Sequence, residues 1–175
     1  MSVITILDEV VTHLTTQMSL QADQIGVEPE LTPPHIAPEF YIAVDEGDVV
    51  SDSTDNFLRE KIGFEVGIWK RTGDYDKDRR AKIYSKSATG LDALERLVVI
   101  NLHMSWALRA AINTAGSYGQ AGNGDVYQLP PVYQGRGKTE ARSIGTDNSG
   151  NLSTWLMRRL RFGGMLRVQE ISVAK

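Results

Sequence analysis

The chain of 175 residues contains no cysteine, which excludes disulfides, thiolate catalysis and cysteine-ligated zinc together. Histidine is nearly as scarce: His13, His35 and His103 are scattered, which argues against a histidine-based metal centre. No run approaches the ~20 consecutive apolar residues of a membrane helix. The opening MSVITILDEVV shows no basic start ahead of an apolar block, so neither a membrane partner nor a secretion signal is expected. No Gly-x-Ser-x-Gly elbow and no Gly-Lys-Ser/Thr phosphate loop occurs. Basic residues are almost missing from the first sixty positions, where 12 Asp/Glu face Arg59 alone; residues 61–175 carry 18 Lys/Arg against 10 Asp/Glu. Such polarity suits a basic surface for nucleic acid, an acidic face that meets a basic face on a neighbour, or neutralisation within one fold.

What the chain does contain is one dominant stretch. Gly90 to Asn113, GLDALERLVVINLHMSWALRAAIN, has no proline and no internal glycine, and it is rich in Leu, Ala, Met and Arg, strong helix formers. Thr89 is placed to cap it, Asp92 and Glu95 lie in its first turns, and Arg109 lies near its far end, as the helix dipole favours. One apolar stripe reads Leu91, Leu94, Val98, Leu102; a second reads Ala93, Leu97, Ile100, Met104, Ala107, Ala111. A helix apolar over so much of its circumference is covered on more than one side. A sheet on one side, with another helix or another subunit on the other, would do this.

The remaining pattern is read around that helix, in one domain spanning 1–175. Val3, Ile6, Leu7, Val10, Leu14 and Met18 recur at helical spacing, with Ser2 as a possible cap. GVEPELTPPHIAPEF, with four prolines, is an extended connector. In EFYIAVDEGDVV, Phe40, Ile42 and Val44 alternate as a strand with one buried face, and DSTDNFLRE is compatible with a short turn of helix. KIGFEVGIWKRTG gives the cleanest period of two, with Ile62, Phe64, Val66 and Ile68 on one face and Gly63 and Gly67 on the other, where something lies close to the backbone. Residues 116–150 hold eight glycines and read as a functional arm or a segment ordering on binding. Gly163-Gly164 between two alternating runs signals a hairpin. Leu156, Leu160 and Phe162 would face the core, with Leu166 and Val168 across the turn. The expected class is α+β: a mostly antiparallel sheet of about four strands, two main helices packed on it, and a long Gly-rich loop before a C-terminal hairpin.

Candidate chemistry is thin. Asp74-Tyr75-Asp76-Lys77-Asp78 alternates like half of a calcium loop, but Arg79 and Ser85 stand where the loop needs Gly and Glu. It reads as a charged turn. GSYGQAGNG, from Gly116, follows a helix and opens none, unlike a phosphate cradle; Asp147–Asn151 is a turn sequence. His103 reads as a partly buried histidine, and Trp69, Trp106 and Trp155 as core or interface aromatics. No catalytic residue, metal site or cofactor is expected. The signal above background is basic: Arg136, Lys138, Arg142, Arg158, Arg159, Arg161 and Arg167, opposed before Glu170 by Glu140 and Asp147 alone. These residues suit subunit contacts with the acidic first sixty residues, passing DNA, or plain solubility.

FEVGIWKRTGDYDKDRRAKIY followed by GLDALERLVVINLHMSWAL resembles the tail terminator (tail completion, or head–tail neck) proteins of long-tailed bacteriophages. PHIAPEFYIAV is similar to that family's Pro-x-Phe strand, and LRFGGMLRVQ to its last hairpin. The resemblance implies a non-enzymatic virion protein of the tail or neck, assembled in the host cytoplasm. It implies a hexameric ring that caps the tail tube, ends its polymerisation and meets the head-completion or connector protein, with DNA passing through the lumen. A stopper on the portal side is the alternative within the particle, and a duplex-DNA-binding module using the arginine hairpin is the alternative of another class.

Overall fold

The computed structural model describes residues 3–34, 39–52, 57–72, 89–116, 126–146 and 152–170. In chain order these form α1 (Val3–Met18), β1 (Ile25–Val27), a 3-10 turn (Pro29–Leu31), β2 (Phe40–Ser51), β3 (Phe57–Thr72), α2 (Leu91–Leu102), α3 (Trp106–Ala115), β4 (Val126–Tyr127), β5 (Val132–Arg136), β6 (Glu140–Thr146) and β7 (Leu152–Glu170). The class is α+β, but the sheet has seven strands and is mixed, not about four and mostly antiparallel. Its order is β1-β2-β3-β7, with β4, β5 and β6 following one another along the free edge of β7. The parallel pair is β1 with β2, Ile25 opposite Ile42; three residues inside a proline-bounded connector are too few to show a period.

The expected C-terminal hairpin does not form. β7 runs unbroken for 19 residues, because β3 pairs with it on both sides of the glycines, from Thr72 opposite Thr154 to Phe57 opposite Glu170. Gly163-Gly164 is a bulge: two residues oppose Gly63 alone, and Gly164 takes φ +78°, a conformation glycine adopts at little cost. The extra residue flips the alternation. Leu156, Leu160 and Phe162 face the helices, then Met165 does so, while Leu166 pairs with Lys61 on the opposite face. The Gly-rich span is likewise no single loop, since 126–127, 132–136 and 140–146 are strands; residues 117–125 and 147–151, with the GSYGQAGNG and Asp147–Asn151 readings, lie outside the described residues. So do Ser2 and the Asp74–Asp78 turn. In DSTDNFLRE the residues from Phe57 onward are strand, not helix.

The long helix is broken once. His103 ends α2, Met104 takes φ 55°, and the Ser105 hydroxyl caps α3 by accepting the Leu108 N–H at 3.2 Å. Ser at an N-cap is a strong start signal, and it makes three helices where two main ones were expected. The α2 N-cap is Gly90 and not Thr89.

All three helices cover one face of the sheet. Val10 and Leu14 of α1, Leu94, Val98 and Leu102 of α2, and Leu108 and Ile112 of α3 meet Ile42, Val44, Phe64, Val66, Ile68, Leu160 and Phe162. The opposite face is covered at one end by Leu31, whose 3-10 turn sits over Tyr41, Ala43, Trp69, Trp155 and Met157. β2 is therefore buried on both faces from Phe40 to Val44, where one was expected. Gly67 is the close approach seen in the sequence: a Cβ there would lie 3.0 Å from the Leu31 Cβ. The Trp69 indole N–H donates to the Leu31 carbonyl at 2.6 Å. Beyond this cap the outer face carries Glu65, Arg159 and Arg161, and then an uncovered end.

Candidate functional site

Strand alternation divides the arginines expected to form one basic surface. Arg158 points to the helix side and is 4% exposed. One guanidinium nitrogen, Nη1, reaches Asp92 Oδ1 and Glu95 Oε2, both at 2.5 Å, and Nε donates to Thr139 Oγ1 at 3.2 Å. Arg136, on β5, donates to the same Glu95 carboxylate at 2.8 Å. The Glu95 hydrogen bond, together with its charge, raises the Arg136 pKa. Tyr133 lies beside this group, its phenol pushed up first by burial and then by Glu95. Two carboxylates of α2 thus clamp two arginines of the sheet and fix the helix on β7 and β5. Buried charges persist only when paired in this way.

The other candidates point elsewhere. Arg159 and Arg161 face outward from β7, Arg159 lying 3.4 Å from Glu65 and Arg161 exposed, with no ion pair among the described residues. Arg167 returns to the helix side after the bulge and meets Glu60 at 3.4 Å. Arg142, on the exposed edge strand β6, bonds Glu140 at 2.7 Å and lies 5.9 Å from the Trp69 ring centroid. Lys138 is exposed between β5 and β6. No single face holds all seven, so these residues present no unbroken line of positive charge.

The exposed apolar surface lies on the helices. Of the two stripes read in the sequence, Leu91, Leu94, Val98 and Leu102 are buried. The second faces solvent: Leu97 is 39% exposed, Ile100 67%, Met104 45%, and Trp106 just past the break 53%. The break is held by polar contacts. His103 Nδ1 accepts the Tyr133 backbone N–H at 3.0 Å, and His13 Nε2 donates to the Asn101 carbonyl at 3.1 Å. Arg109 lies 5.4 Å from the Trp106 ring centroid and donates Nε–H to the Tyr127 carbonyl at 2.7 Å. Met104 therefore displays an apolar side chain from a left-handed backbone position that favours glycine.

Comparison with known proteins gives no match to a family model and none to a curated protein. Among the described residues no group of three or more His, Asp or Glu is placed to hold a metal ion, and no helix is long and apolar enough to cross a membrane. The surfaces themselves must carry the functional reading. The helix dipole alone accounts for Asp92 and Glu95 in the sequence; their spacing of three puts both on one helix face, where the structure sets them against Arg158.

Proposed function

We propose that this chain is a non-enzymatic structural subunit that closes into a ring at the end of a long bacteriophage tail, where it stops tube growth and joins tail to head. The observation that carries the reading is the exposed stripe Leu97, Ile100, Met104 and Trp106. Large apolar side chains in one contiguous patch mark a protein-binding surface, and their place on the helix layer leaves both sheet edges free of it. The sequence resemblance supplies the particle and the position within it. A heterologous contact repeated round an axis closes a ring. Of the basic cluster, Lys138 and Arg161 are exposed without an ion pair among the described residues and are the residues left to face DNA in the channel. Burial of Arg158 and the pairing of Arg159 and Arg167 tell against a DNA-binding module built on β7, the strand that contains them.

Light scattering and electron microscopy of the purified chain test this directly. The expected result is a closed assembly several times the 19.4 kDa chain mass, with six-fold end views. A strictly monomeric protein at about 100 µM, well above the micromolar range of ordinary weak association, overturns it.

A further inference from the structure

We propose that His103 is an acid-released latch: when it takes up a proton, the α2–α3 break comes free of β5, and with it the displayed side chains of Met104 and Trp106. The break closes on β5 through two contacts. The Met104 N–H donates to the Pro131 carbonyl at 2.8 Å, and the Tyr133 N–H donates to His103 Nδ1 at 3.0 Å. Residues two apart on a strand point the same way, so both contacts cover one stretch of strand edge, the edge β5 does not give to β7.

Only a neutral imidazole accepts at Nδ1. Its proton then sits on Nε2, and a second proton has Nδ1 as its place, after which both nitrogens are donors. Two N–H groups would then face each other, and the contact with Tyr133 is lost. His13, on α1, holds the same break in the opposite sense. Its Nε2–H donates to the Asn101 carbonyl at 3.1 Å, and a second proton at Nδ1 leaves that donor in place. Acid thus releases the break from β5 while α1 keeps hold of it. The released position is a strained one: Met104 has φ 55°, a left-handed conformation that a non-glycine residue keeps only where its surroundings over-determine it.

The charged and titratable groups on the elements around the break are Asp92, Glu95 and Arg96 on α2, Arg109 on α3, Glu9 and His13 on α1, and Tyr133 and Arg136 on β5. Arg136 is engaged by Glu95 and Arg109 by the Tyr127 carbonyl. Among the described residues no carboxylate pairs with His103. Of these side-chain types only histidine ordinarily changes charge between about pH 5 and pH 8.

The chain has six tyrosines, so isotope labelling of tyrosine amides alone gives a readable spectrum, and Tyr133→Phe assigns the Tyr133 signal by its loss. Between about pH 8 and about pH 5 the Tyr133 amide proton is expected to shift upfield in step with the His103 ring signals, in wild type and in His13→Gln alike. In His103→Asn it should stay in place, because the new side-chain carbonyl accepts the same N–H and takes no proton in this range. A Tyr133 signal that stays still in wild type, moves equally in His103→Asn, or stops moving in His13→Gln overturns the latch. The readout is independent of assembly, so the ring reading is decided separately.

Discussion

Removing the Glu95 carboxylate tests how the helix layer is held. Glu95 accepts from both Arg136 and Arg158, and Arg158 is 4% exposed. In Glu95→Ala the buried guanidinium keeps Asp92 and Thr139, so the loss is smaller than the 3–5 kcal/mol of a fully orphaned charge. It should be about 2–3 kcal/mol. For a chain of this size that lowers the melting midpoint by about 4–12 °C. Arg158→Met is the control. It keeps an apolar stem in the same space, leaves Glu95 with Arg136, and returns the 45% exposed Asp92 to water, so it should cost under about 1 kcal/mol. The double variant should then be more stable than Glu95→Ala alone, because the under-compensated buried charge has gone. Urea unfolding at neutral pH, followed by far-UV circular dichroism at matched assembly state, reads all three. Equal losses from Glu95→Ala and Arg158→Met, or a double variant at the sum of the two, would refute the reasoning.

The buried Tyr41 donates its hydroxyl to Glu28 at 2.7 Å, and burial first, then that bond, raises its pKa well above 10. The stabilising contribution is complete below about pH 10 and is lost as pH rises through the folded value; at about pH 11 Tyr41→Phe should leave the phenolate absorbance step unchanged, and loss of one titrating unit near pH 10 would contradict this. Gly63→Ala places a Cβ 2.6 Å from the Phe162 carbonyl oxygen, fixed in β7, whereas Gly163→Ala meets the movable Gln134 side chain. The first should cost about 1–3 kcal/mol and the second clearly less, and equal denaturation midpoints would remove the distinction. For duplex DNA, Lys138→Ala with Arg161→Ala, which removes the two exposed cluster cations without an ion pair among the described residues, should flatten the log–log salt slope by no more than about 2, and Arg158→Met should leave it unchanged; a flattening by Arg158→Met in fluorescence anisotropy would restore the arginine-strand module.

The parts of the fold legible in the sequence are those where period and burial coincide. Ile62 to Ile68 alternates because one face meets helices, and Leu91, Leu94, Val98 and Leu102 lie three or four apart because one helix face meets the sheet. What misled was local chemistry whose meaning depends on distant partners. Gly163-Gly164 serves a turn or a bulge equally well, and the length of β3 decides for the bulge. Strand β4 is two residues long, β5 and β6 are short and glycine-interrupted, and all three exist because β7 offers them a free edge. Ser105 was a readable cap inside an unbroken run of helix formers, and composition outweighed it. The division of the arginines was partly legible, since residues 158 and 159 must face opposite ways on any strand; that Arg158 faces inward required knowing that Asp92 and Glu95 wait there.

The charge asymmetry between the first sixty residues and the rest takes on a different meaning once these pairs are placed. Lys70–Glu39 and Arg167–Glu60 join the two parts, whereas Arg136, Arg142, Arg158 and Arg159 all pair with carboxylates from the second part itself. Four of the seven cluster residues thus pair within their own part, and one, Arg167, pairs with the acidic part. Asp48 and Asp52 stand at the open end of the sheet, beside Val50 and Leu166, and not against that cluster. An interface built from the seven basic residues would have to break the Arg158 clamp first, at a cost no rim contact returns. An interface built from Ile100, Met104 and Trp106 breaks nothing, because those side chains are already exposed. On the ring reading proposed above, the apolar helix stripe, with Arg96 at its margin, is the surface a neighbouring copy would cover without breaking an existing contact.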